Sequence, residues 1–240
     1  MQPSTGNNWL QSGQAIAVRH AGHGSIQPLT PLRPFWGHLP HHRGYDIRPV
    51  RTDHQHGMAS ALVRRMYSWR GYETTIAGFR PNDAHRVTLA AWQFDEVVAT
   101  LTLGRDSASG LLADALYTNE LDSLRGTGRV VCEVTKLAID PDFSSKELLT
   151  SLFRAAHSYG CEHFAASDAV MEVNPRHVRY YERWFGFRQI GQLRHCERVA
   201  APAILLHQKM EGFAIPACAN AGVRDVVSLP ARPAARASLM

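Results

Sequence analysis

A chain of 240 residues with 45% apolar and 20% charged content can bury one sizeable core, which excludes a wholly disordered protein. No stretch reaches the roughly 18 apolar residues of a membrane span, and the first 20 residues, broken by Asn7, Asn8, Gln11, Gly13 and Gln14, lack the apolar centre of a secretory signal. The net charge of +5 divides into +3 over residues 1–44, +1 over 45–210 and +1 over 211–240, so nucleic acid is not expected as a partner. Cys132, Cys161, Cys196 and Cys218 share no C-x-x-C spacing, which suits reduced thiols in a cytoplasmic protein.

Residues 1–43 show no sustained periodicity and are rich in Gly, Pro, Gln and His, as in a disordered leader. His38, His41 and His42 are joined by no Cys or carboxylate cluster, so they read as solvated histidines, and no metal site is expected. An N-terminal strand over residues 45–51 follows, with Asp53 as a helix cap. Met58, Leu62, Met66 and Trp69 recur at helical spacing and predict a helix ending at Gly71. Residues 86–94 and 97–103 are strand patterns joined at Asp95-Glu96 as a hairpin. Leu112, Leu116 and Leu124 mark a short helix that stops at residues 125–128.

Residues 129–140, R-V-V-C-E-V-T-K-L-A-I-D, have the pattern of a buried strand with a carboxylate in its middle. Side chains alternate along a strand, so Val131, Glu133, Thr135, Leu137 and Ile139 should share one face, unless a bulge changes the parity. A lone acid there is expensive unless it is paired, protonated or used. Both a structural and a functional Glu133 remain open at this point.

A helix is expected over residues 145–159, capped by Ser144 or Ser145 and buried through Leu148, Leu149, Leu152, Phe153 and Ala156. A strand over 163–173 leads to Asn174-Pro175, which opens a helix running to Phe185 and stopping at Gly186. Two strands, over 187–193 and 203–209, close the pattern, and residues 211–240 read as a flexible tail. The order β-α-β-β-α-β-α-β-α-β-β predicts one mixed α/β domain over residues 44–210, with helices flanking a sheet.

In the tract N-P-R-H-V-R-Y-Y-E-R-W-F-G-F, Asn174, His177 and Tyr181 share one helix face. A strand, an Asn-led helix with a Tyr seven residues on, Gly186-Phe187 and a terminal strand pair resemble the C-terminal half of the GCN5-related N-acyltransferase fold. The resemblance implies a seven-stranded, mostly antiparallel sheet whose parallel fourth and fifth strands splay to admit a pantetheine thioester. After the fourth strand, acetyl-CoA enzymes of this fold carry a Gly-rich loop for the pyrophosphate. Here that place reads D-P-D-F-S-S-K-E-L-L, with acids and no glycine. A thioester on a carrier protein has no such pyrophosphate to bind.

Within the carrier-protein branch, the chain resembles the long-chain N-acyl amino acid synthases, relatives of the acyl-homoserine-lactone synthases. Glu133, Thr135 and Lys136 match the family's E-V-S-R strand. Arg65 with Trp69 resembles its Arg-aromatic pair, and Arg105 falls where the family carries a basic residue. The likeness spans about residues 45–210 and implies an enzyme that moves a fatty acyl group from acyl carrier protein to the α-amine of an amino acid. No bound cofactor is expected: the donor is an acyl-phosphopantetheine thioester on acyl carrier protein or CoA, and the acyl product could bring peripheral membrane contact.

In that scheme Glu133 is the base, directly or through a water, and backbone N–H groups of its own strand stabilise the oxyanion. Arg105 or Arg65 holds Glu133 or the substrate carboxylate. Thr135, Lys136, Trp69 and Asn174 belong to substrate binding, while His177 and Tyr181 line the pantetheine channel or protonate the thiolate. Exposed arginines at 176, 179 and 183, or at 64 and 70, are the expected carrier docking patch. A CoA-dependent acyltransferase and a non-catalytic acyl-binding module of the same fold are the competing readings.

Overall fold

A computed structural model of the chain describes residues 45–74, 83–126, 128–211 and 213. The leader expected over 1–43 and, apart from Glu211 and Phe213, the tail expected over 211–240 lie outside the described residues.

The β2–β3 hairpin (Arg86–Gln93 and Glu96–Arg105) forms the middle of one half of the sheet. Strand β1 (Asp46–Pro49) pairs antiparallel with β2, and β4 (Val131–Ile139) pairs antiparallel with β3. Strand β5 (Asp168–Val173) is the parallel neighbour of β4. Strands β6 (Arg188–Gln189), β7 (Arg194–Cys196) and β8 (Ala201–Lys209) finish the fold, and the order along the sheet is β1-β2-β3-β4-β5-β8-β6, with β7 paired to β8. All pairings but β4–β5 are antiparallel.

Four helices cover the sheet among the described residues: α1 (Asp53–Trp69), α2 (Asp114–Arg125), α3 (Lys146–Phe164) and α4 (Val178–Phe185). Leu62, Val63 and Met66 of α1 pack with Ala90 and Ala138, while Tyr117 and Leu121 of α2 pack with Val131, Val170 and Leu205. These sheet residues occupy one face. Leu148, Leu152 and Phe153 of α3 and Tyr181 and Phe185 of α4 pack on the other face, against Leu101, Leu103, Cys132 and Val134. No helix among the described residues is long and apolar enough to cross a membrane.

Several local expectations are corrected. Helix α1 is capped by Thr52 rather than Asp53: its hydroxyl takes the Gln55 N–H at 3.2 Å, and the Gln55 side chain returns to the Thr52 N–H at 3.3 Å, a reciprocal capping box. Helix α3 continues to Phe164, five residues beyond the expected end and into the expected strand. Its buried stripe extends through Gly160 and Phe164 at i+4 spacing, and it stops only at Ala165 in the left-handed region. Residues 187–193 are not one strand, because β6 ends at Gln189. A Cβ on Gly191 would lie 2.6 Å from the Tyr117 ring, so this backbone is pressed against α2 instead of extending the ladder.

The parity of β4 also changes. Thr102 pairs with Thr135 while Thr100 pairs with Ala138, so one residue of β3, Leu101, opposes two of β4, Lys136 and Leu137. Lys136 absorbs the extra residue with a φ of 51°, and its carbonyl accepts the Thr100 hydroxyl at 2.9 Å. Glu133, Thr135 and Ala138 therefore share the α1/α2 face, whereas Ile139 joins Cys132 and Val134 on the α3/α4 face.

Candidate active site

The parallel pairing of β4 with β5 is short. It holds only Val131↔Asp168, Cys132↔Ala169 and Glu133↔Val170. Beyond Glu133, β4 is hydrogen-bonded to β3 and β5 to β8, so the two parallel strands part in the middle of the sheet. The separation is the splay that the resemblance implies, and Glu133 stands at its apex.

Glu133 is fully buried. Ala113, the residue before helix α2, offers no side-chain cap of its own. The Glu133 carboxylate supplies that cap from the strand, accepting the Ala113 N–H on Oε1 at 2.9 Å and the Leu112 N–H on Oε2 at 2.8 Å. Burial drives its pKa up to about 7, assisted by the Glu172 charge and opposed by the two amides and Arg198.

Neither arginine expected beside Glu133 is its partner. Arg65 pairs with Asp140 at the end of β4, with its side chain 60% exposed. Arg105 pairs opposite Cys132, on the sheet face away from Glu133. The sequence places both near the strand, but a one-residue change of register turns a side chain to the other face. The cation near Glu133 is Arg198, from the turn between β7 and β8. It pairs with Glu172 of β5 and donates to the Leu112 carbonyl at 2.5 Å, joining three distant segments. Burial raises the Glu172 carboxyl above its usual range, with Arg198 opposing the shift.

The α1/α2 side of the splay thus gathers Glu133, Thr135, Glu172 and Arg198. Tyr67 of α1, pushed up to about 12 chiefly by burial, lies within the electrostatic reach of Arg198. The Glu73 N–H donates to the Val199 carbonyl at 3.1 Å and ties the segment after α1 to the same turn. Trp69 lies at the end of α1, 67% exposed, with Arg70 over its ring at 5.5 Å.

On the α3/α4 side, Asn174 caps the 3-10 turn Pro175–His177, accepting the Arg176 N–H at 3.3 Å. His177 Nε2 accepts from Arg176 Nε at 3.1 Å, and burial, with Arg176 and Arg70, lowers the His177 pKa. Arg176 also reaches the Tyr72 hydroxyl at 3.2 Å, linking the end of α1 to the start of α4. Tyr181 is buried among Phe153, Phe185 and Phe187, and burial raises its pKa.

Glu172 and Arg198 are the site residues that sequence reasoning passes over. One signal was available for Glu172: it interrupts the apolar run D-A-V-M-E-V as Glu133 interrupts its own strand. Arg198 carries no comparable signal, because its role depends on the fold bringing residues 112, 172 and 198 together.

Residues 58–209, which contain every residue of this site, match the family described as N-acyl amino acid synthase FeeM. The chain belongs to that family. It is 27% identical to FeeM, an N-acyl amino acid synthase from uncultured soil microbes, and superposes on that structure with a TM-score of 0.65 over 70% of this chain and 93% of that one. ElaA of Escherichia coli shares the fold at 10% identity and a TM-score of 0.52, over 68% of this chain and 99% of its own. The AHL synthase LasI does so at 12% identity and 0.50, over 70% and 91%. No curated protein sequence matches significantly. Family and fold together make this chain an N-acyltransferase.

Proposed function

We propose that this N-acyltransferase moves a fatty acyl chain from an acyl-carrier-protein thioester to the α-amine of an amino acid. The observation that carries the donor assignment is the connection from β4 to α3. Asp140 Oδ1 takes the Asp142 N–H at 3.1 Å, and its other oxygen takes Arg65. The Ser145 hydroxyl takes the Leu148 N–H at 3.1 Å, and Glu147 adds an acid to the first turn of α3. Two backbone donors of this corner, the Asp142 and Leu148 N–H groups, are thus engaged by the protein's own oxygens, and Asp140, Asp142 and Glu147 add carboxylates that repel phosphate. A carrier-bound pantetheine makes no demand on this corner.

In this reading the thioester arrives from the α3/α4 side, past His177 and Tyr181, and the amine from the α1/α2 side. The two meet at the splay. Backbone N–H groups of β4 beyond Glu133 face the developing oxyanion. Glu133 holds residues 112–113 in place and adds negative charge that favours an ammonium-bearing acceptor, while Arg198 is the cation on this side of the splay toward which the acceptor's carboxylate is drawn. The thiol is a good leaving group, so orientation and removal of the ammonium proton are the main tasks. Exposed Arg176, Arg179 and Arg183 form the docking patch for an acidic carrier.

The test compares dodecanoyl-carrier protein with dodecanoyl-CoA as donors to a pool of the twenty protein amino acids, with mass spectrometry of products. N-Acyl amino acid should form, with kcat/KM favouring the carrier donor by about tenfold or more, the equivalent of one misplaced charge contact. Equal or better use of the CoA donor overturns the carrier assignment. Charge reversal at Arg179 and Arg183 should weaken carrier use in a salt-sensitive way.

A further inference from the structure

Two buried polar atoms at the splay lack a hydrogen-bond partner: Glu172 Oε1 on β5 and Thr135 Oγ1 on β4. Their register relates them. Glu133↔Val170 is the last paired position, and Thr135 and Glu172 are the next residues on the same face of each strand. They flank the opening from its two sides. A buried polar atom left unpaired costs about 1–3 kcal/mol, so two such atoms facing one gap call for a ligand. Glu172 is also fixed in place, because its other oxygen is held by Arg198, itself anchored on the Leu112 carbonyl. Glu133 differs in that each of its oxygens already accepts an amide.

We propose that Glu172 is the catalytic residue that takes the proton from the acceptor ammonium, with Thr135 Oγ1 holding the same nitrogen. The inference rests on the aminolysis proposed above. An ammonium group brings several N–H donors, enough for both oxygens. Glu172 accepts one proton and becomes a neutral acid. The freed nitrogen lone pair forms the C–N bond to the thioester carbonyl. As the tetrahedral adduct collapses, the C–S bond breaks, and the second proton leaving nitrogen goes to the departing thiolate. Glu172 returns its proton to solvent before the next turnover. The upward shift that burial imposes on the Glu172 carboxyl brings it toward the working pH, as suits a base.

The experiment compares Glu172→Gln with wild type, using dodecanoyl-carrier protein and either the amino acid pool or hydroxylamine, which is already neutral at pH 7. Amino acid turnover should fall about 100-fold or more, the usual share of a general base, and hydroxylamine turnover by less than about tenfold. The ratio of the two rates within one preparation is independent of the folded fraction. Should the Gln variant yield no folded protein, Glu172→Asp should move the same ratio in the same direction by a smaller amount. An unchanged ratio in a folded variant, with wild type active, overturns the role of Glu172 alone. A wild-type enzyme that acylates neither nucleophile overturns the proposed function and this inference together.

Discussion

Asp168 and Glu172 lie four residues apart on the same face of β5, yet their surroundings differ completely. Asp168 is in the paired part of the strand, opposite Val131. Its carboxylate accepts from His207 Nε2 at 2.6 Å, Arg129 at 3.0 Å and the Ser167 hydroxyl at 2.7 Å. Burial pushes its pKa up, but His207, Ser167 and Arg129 together hold it below the usual carboxylate range. Glu172 is past the point where β4 departs, keeps one oxygen without a partner, and shifts the other way. An acid on a closed stretch of sheet is surrounded by neighbours that can satisfy it. One on a splayed stretch faces a gap, and what satisfies it there must come from elsewhere.

Four substitutions break or sharpen that contrast. Arg198→Met should have the largest effect on stability, because it leaves Glu172 and Glu133 without their cation. One-sided removal of a largely buried pair costs about 3 kcal/mol, read as a lower denaturation midpoint, and acyl transfer should be lost with it. Asp168→Asn at the closed end should cost about 2 kcal/mol at pH 7 while folded protein retains acyl transfer, measured per mole of native enzyme. The sign with pH follows from the depressed folded-state pKa. The Asp168 contribution is present above its ordinary value of 3.8 and disappears as pH falls through the folded value, so the variant should lose less stability in acid than wild type.

Glu133→Gln probes the apex between the two. Gln offers one acceptor oxygen to two amides, leaving one N–H unsatisfied at a cost of about 1–2 kcal/mol. Its pH signature is opposite to that of Asp168. A folded pKa of about 7, against an ordinary 4.5, gives a contribution fully present below 4.5 and lost as pH rises through 7. Denaturation curves from pH 4.5 to 8 should show that decline in wild type and a flatter profile in Glu133→Gln. Acyl transfer near the wild-type rate in the folded variant would confine Glu133 to anchoring α2. Arg65→Gln should have the smallest effect, under about 1 kcal/mol, because its ion pair with Asp140 is largely exposed on the Arg65 side.

Much of this molecule is legible in its residues. The alternation of residues 86–105 identifies the central hairpin, and apolar spacing identifies the buried faces of α1 and α3. An acid inside V-V-C-E-V-T singles out Glu133, and the acids after β4 argue against a pyrophosphate loop. The errors cluster where a long-range contact overrides a local pattern. The bulge at Lys136 reverses the parity of β4, Tyr117 pressed against Gly191 divides the expected strand over 187–193, and α3 runs on because Phe164 still has a core to enter.

The allocation of partners belongs to the tertiary structure. The sequence by itself determined that a carboxylate would be buried at position 133, since its strand is apolar on both sides of that residue. It could not determine that two amides of a helix start would occupy both its oxygens, or that Arg198 would be the nearby cation in place of Arg65 or Arg105. Periodicity reports which face a side chain takes, through interactions a few residues long. Which atom meets which across 20 to 65 residues of chain depends on how the strands pair and where they part, and that is decided only when the whole sheet has formed.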